Sequence, residues 1–170
     1  MIRLRRRRSG GGWRRPSPPT ARACAPPGQG TDGEAALGSL IADGAALYAA
    51  CRRCAARSPH GARRVLEQLA REQQRTVRSL LAAYFLLTGR WRQPPVPAAG
   101  LQEPWLTALR RVFLAESVLQ RDCAALAEQL ENGCLRQLLA AEAERAAARG
   151  KSLAALLENS LTTANSLLKW

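Results

Sequence analysis

Fifteen residues near the middle of the chain, Gly89 to Glu103, constrain its fold more than any other stretch. The segment holds Pro94, Pro95 and Pro97, and proline cannot continue a helix interior. On either side of it apolar residues recur at helical spacing, in two blocks that are each broken once by a short turn signal. A helix of about 26 residues is roughly 39 Å long. Fifteen extended residues reach roughly 50 Å. The segment is therefore long enough to run the length of a helix pair and start the next helix at the far end. Short connections within each block predict two antiparallel hairpins, so the expected topology is two hairpins joined by one long crossover.

The four helical segments can be read directly. The first runs from about Glu34 to Arg57, with Leu37, Leu40, Ile41, Gly44, Leu47, Tyr48, Cys51 and Ala55 on one face, and Ser58-Pro59-His60-Gly61 stops it. The second runs from about Ala62 to Thr88, with Val65, Leu69, Glu72, Thr76, Leu80, Ala83 and Leu87 as its stripe, and Gly89 closes it. The third starts near Pro104 and carries Trp105, Leu109, Val112, Phe113, Glu116, Leu119, Cys123, Leu126 and Leu130; Asn132-Gly133 ends it. The fourth runs from about Cys134 to Leu157 with Leu135, Leu138, Leu139, Glu142, Arg145, Arg149, Leu153 and Leu156. A C-terminal extension, 159–170, is expected to be partly helical. The wealth of Ala and Leu, with two Tyr and two Phe in 170 residues, favours helix over strand throughout.

Charge divides the chain differently. The formal net charge is +13, and residues 1–31 carry eight arginines and no acid. With its prolines and glycines, the segment 1–33 reads as a disordered Arg/Pro/Gly-rich tail. About 140 residues remain for folding, enough for one domain with a sizeable core. No run of about 20 apolar residues is free of charge, so no membrane span is expected. The basic start is not followed by an apolar run, so no secretory signal is expected. Five cysteines, an odd number in a chain too large to need staples, read as reduced thiols of a cytoplasmic protein.

The two blocks also resemble each other. Gly44 and Cys51 are spaced as Glu116 and Cys123 are, and Glu72-Gln73-Gln74-Arg75 corresponds to Glu142-Ala143-Glu144-Arg145, giving an internal repeat of about 70 residues. At spacings of three and four, Glu116 is flanked by Val112, Phe113 and Leu119, Glu142 by Leu138, Leu139 and Ala146, and Glu72 by Leu69, so all three lie on the apolar stripes. A carboxylate in such a stripe is costly unless it is paired or binds a metal. A di-metal bundle needs one Glu from each of two helices and Glu-x-x-His from each of the other two. Glu72, Glu116 and Glu142 match that template. Gly44 stands where the remaining Glu belongs, and Arg75 and Arg145 stand where the two His belong. His60, the only histidine, is expected in a turn and cannot replace either.

Ile41-Ala42-Asp43-Gly44, Leu69-Ala70-Arg71-Glu72-Gln73-Gln74-Arg75 and Ala83-Tyr84-Phe85-Leu86-Leu87-Thr88-Gly89 resemble segments of bacterial rubrerythrin-type ferritin-like proteins. The resemblance covers about residues 34–158. It implies an all-α fold, a ferritin-like four-helix bundle, and a di-iron carboxylate site for oxidation or peroxide chemistry. Here the ligand set is degenerate, so the expectation is a bundle without di-iron and without catalysis. In place of metal, the expected core is a buried cluster of Glu72, Glu116, Glu142, Arg75 and Arg145, because guanidinium forks suit carboxylates. The alternative is an oxidase or peroxidase with an altered ligand set that still holds di-iron.

Two further features have simple structural explanations beside any functional one. Cys51-Arg52-Arg53-Cys54 has a C-x-x-C spacing, but zinc needs four ligands and a redox motif needs a preceding strand, so these read as ordinary helix cysteines. The arginine tail with Trp13 offers phosphate contacts and a stacking surface for nucleic acid, set against a plain solvated arm. A homodimer or an unidentified protein partner completes the expected associations.

Overall fold

The computed structural model describes residues 31–97 and 103–167. The described residues form four helices and no strand: α1 Thr31–Arg57, α2 His60–Thr88, α3 Trp105–Gln129 and α4 Gly133–Leu167. The predicted segments are all present, with boundaries that differ for local reasons. Helix α1 starts at Thr31 rather than Glu34, with Asp32 and Glu34 in the first turn, where negative charge suits the helix dipole. Helix α2 starts at His60, so this residue begins a helix instead of sitting in the turn; Pro59 before it has φ −55° and ψ 153°, a conformation that leads into a helix. Residues 1–30, most of the predicted disordered tail, and 168–170 lie outside the described residues.

The termini follow capping chemistry. Gly89 ends α2 in the left-handed region, φ 69°, and its N–H donates to the Phe85 carbonyl at 2.8 Å. Asn132 does not end α3, as the sequence suggested. Its Oδ1 accepts from the N–H groups of Cys134 and Leu135 at 3.0 and 3.2 Å, which makes it the N-cap of α4. Helix α3 stops earlier, at Gln129, where Leu130 turns extended and its side chain stays buried. Helix α4 continues through Asn159 and Ser160; the Ser160 hydroxyl donates to the Leu156 carbonyl at 2.6 Å, which spares it from competing with the helix.

Helix α1 packs on α2 and α3, and α4 packs on α3 and α2, leaving α1 opposite α4 and α2 opposite α3 on the diagonals. The Trp105 indole N–H at the start of α3 donates to the Cys54 carbonyl near the end of α1 at 3.2 Å. At the other end, Gly33 of α1 lies against Leu130 and Leu87, with an added Cβ meeting their Cδ2 atoms at 3.4 and 3.5 Å. Helices α1 and α3 are therefore antiparallel. The end of α2 and the start of α3 lie at opposite ends of the bundle, a span that the crossover is long enough to cover.

The core is a column of leucines. Leu37, Leu66, Leu80, Leu109, Leu119, Leu135, Leu139 and Leu153 are essentially inaccessible, with Ile41 and Cys123 among them. Burying one such side chain is worth about 1.5–3 kcal/mol. No described helix is long and apolar enough to cross a membrane.

Candidate functional site: a polar band in the bundle core

The leucine column is interrupted in mid-bundle by polar side chains from three helices: Gln73 and Thr76 of α2, Glu116 of α3, and Glu142 and Arg149 of α4. Helix α1 contributes Gly44. An added Cβ there would meet Val77 Cγ2 at 3.2 Å and Gln73 Nε2 at 3.6 Å, so α1 and α2 approach closely where a larger residue would stand.

The centre of the band is an ion pair. Arg149 Nε donates to Glu116 Oε1 at 2.8 Å, and both side chains are buried. Arg149 Nη2 also lies 2.7 Å from that oxygen, but at an angle that makes no hydrogen bond. Burial is expensive for both charges and is offset only by their contact. The outcome is visible at Glu116: burial pushes its carboxyl above the ordinary range, more than Arg149 pulls it down, and the charge of Glu72 pushes it further up.

The second carboxylate behaves differently. Glu142 is buried, yet its partner Arg145, one turn along the same helix, is largely exposed and reaches inward with its Nη1 on Glu142 Oε1. The other Glu142 oxygen, both amide atoms of Gln73 and the Thr76 hydroxyl make no hydrogen bond within the described residues. Two thiols flank the band. Burial, then the charge of Glu116, pushes Cys51 up to about 12; burial, then the charge of Glu142, pushes Cys123 up to about 12. Both are protonated at neutral pH and poor nucleophiles. Cys54 is also buried and raised by burial, so the C-x-x-C pair offers no reactive thiolate.

The expected five-membered cluster is therefore redrawn. Glu142 pairs with Arg145 as one part of it, while Glu116 pairs instead with Arg149. Glu72 stands at the margin, half-buried, accepting from Gln68 Nε2 at 2.7 Å. Arg75 is exposed and takes no part. Helix α2 points Gln73 inward and leaves Glu72 at the edge of its buried face. A neutral amide inside costs less than a third carboxylate in the same low-dielectric volume. The buried cation is Arg149, two turns beyond Glu142. Its signal was present in the sequence: it lies on the α4 stripe, four residues before Leu153.

The residues do not suit two metal ions. The positions facing the centre are Gly44, Gln73, Thr76, Glu116, Glu142 and Arg149, two carboxylates with neutral groups and a cation. Among the described residues no group of three or more His, Cys, Asp or Glu side chains is placed to hold a metal. Each buried Glu already contacts a guanidinium, the charge that a metal would otherwise supply.

Comparison with protein-family models, curated proteins and solved structures finds no match to this chain.

Proposed function

We propose that this chain is a ferritin-like, rubrerythrin-type bundle protein in which buried ion pairs replace the di-iron site, and that it works as a non-catalytic binding scaffold. The observation that carries this reading is the Glu116–Arg149 contact, a guanidinium held against a core carboxylate. A permanent cation there competes with any metal for the same oxygen. The thiols beside it are protonated, so they supply neither soft ligands nor nucleophiles at neutral pH. The two hairpins, the crossover and the position of the polar band support the ferritin-like comparison.

Loading the full chain with ferrous iron without oxygen, followed by element analysis, tests the reading. The expected result is no bound iron above that of a Glu116→Ala, Glu142→Ala variant. About two irons per chain, lost in that variant, would overturn it in favour of an oxidase or peroxidase with an altered ligand set.

A second reading has its own observation. Arg64, Arg71, Arg75 and Arg78 lie along the solvent face of α2, all exposed, and none is in an ion pair among the described residues. They span about 21 Å of helix. This surface, with the N-terminal arginines, suits a nucleic-acid backbone better than the tail alone would.

A further inference from the structure

Away from the polar band, the surface between α1 and α3 holds an open groove of about 720 Å³. Its size falls within the range of about 300–1,000 Å³ typical of small-molecule sites. The floor is apolar, made by Leu47, Ala50, Ala108 and Val112, with Val118 at one end. At the other end the groove is strongly basic.

That basic end is built by the antiparallel packing. The end of α1 brings Arg53 and Arg57, and the start of α3 brings Trp105 and Arg111. Glu103 organises the group: its carboxylate pairs with Arg111, and its carbonyl accepts from Arg57 Nη2. A carbonyl cancels no charge, and Arg53 has no acidic partner among the described residues. Two guanidinium charges, one turn apart on α1, are thus left without an anion among the described residues, at the head of an apolar trough. At the Val118 end the sign reverses. Asp43 lines the groove there, lifted by burial and by the nearby charge of Asp122.

We infer that the groove between α1 and α3 binds an amphipathic anion, with a carboxylate or phosphate-type head on Arg53 and Arg57 and an apolar body along the alanine floor. The acidic far end fixes the direction, since a second anion is repelled there. A plain hydrocarbon would leave the arginines unanswered, and a cationic amphiphile would meet them head-on. The inference does not depend on whether the bundle core takes metal, because no residue of the polar band lines the groove.

The test uses the full chain with 8-anilinonaphthalene-1-sulfonate as a fluorescent probe and dodecanoate, below its micelle concentration, as competitor. Dodecanoate is expected to displace the probe, and dodecyltrimethylammonium is not. Arg53→Glu with Arg57→Glu, both surface changes, should weaken dodecanoate at least about tenfold, the scale of one charge-assisted contact. Ala50→Trp should fill the floor and abolish binding with unchanged circular dichroism. Equal displacement by the cation, or unaltered dodecanoate affinity in the double arginine variant, would overturn the proposal. So would a dimer in sedimentation that excludes the probe and is broken by Ala50→Trp, because the groove would then be a contact between copies.

Discussion

Glu116 and Arg149 set the terms at the scale of single residues. Removing one partner of a buried pair strands the other charge and costs about 3–5 kcal/mol, whereas replacing both with apolar residues of similar size is often neutral or stabilising. Arg149→Met should therefore lower the urea midpoint sharply, and Glu116→Leu with Arg149→Met should recover most or all of the loss. A double variant as unstable as the single one would show that Arg149 acts by packing alone. The pH dependence has an unusual sign. Folding raises the Glu116 carboxyl above its ordinary value of 4.5, so the folded state binds this proton more tightly than the unfolded state. Its contribution favours folding below the ordinary value and is lost as pH rises through the raised one. Relative to Glu116→Gln, the native protein should gain stability when the buffer is acidified from neutrality toward 4.5. An ordinary paired carboxylate would lose it. The glutamates themselves were legible in the sequence because apolar residues flank them at helical spacing. Their partner was harder to choose: Arg75 and Arg145 followed the expected ligand spacing, while Arg149 matched only the apolar stripe, and the stripe was the better guide.

Among the elements, periodicity located every described helix, and capping accounts for two of the boundaries, Gly89 after α2 and Asn132 before α4. Most of the α2 stripe faces the core, with Leu69, Thr76, Leu80 and Ala83 buried, but not all of it does. Val65 is at the surface and Leu66 is wholly buried; Glu72 gives way to Gln73 in the same sense. Helical spacing alone cannot decide between adjacent positions at the edge of a buried face, and a neutral amide is cheaper to bury there than a carboxylate. The α3–α4 junction shows the same limit. Asn-Gly reads as a turn, which it is, but the asparagine serves the helix that follows. Asn132→Ala removes the acceptor for two otherwise unpaired N–H groups of α4 and should cost about 1 kcal/mol. Asn132→Asp should retain that stability, since an aspartate caps equally well and adds favourable charge at the α4 N-terminus. A loss of less than a few tenths in thermal unfolding of Asn132→Ala would show that the cap contributes nothing.

For the molecule as a whole, charge is the property least explained by the fold. The net charge of +13 lies mainly in the first 31 residues, and a second concentration lies on the α2 face that points directly away from the core. Arg64, Arg75 and Arg78 there are exposed, so replacing them with Gln should leave unfolding within about 0.5 kcal/mol of the native protein. If the second reading is correct, each phosphate contact releases counterions, and the logarithm of the binding constant falls with the logarithm of salt with a slope of roughly −0.9 per contact. Duplex DNA should then be retarded by the full chain at about 50 mM salt, and much less at about 200 mM. Deleting residues 1–30 should flatten the slope most, and the triple Gln variant should flatten it by about three contacts. These two changes should add, because tail and helix face offer separate contacts. No retarded band from the full chain at low salt would remove nucleic acid as a partner. A slope that the triple variant leaves untouched would confine binding to the tail and make the α2 arginines a solvated surface only.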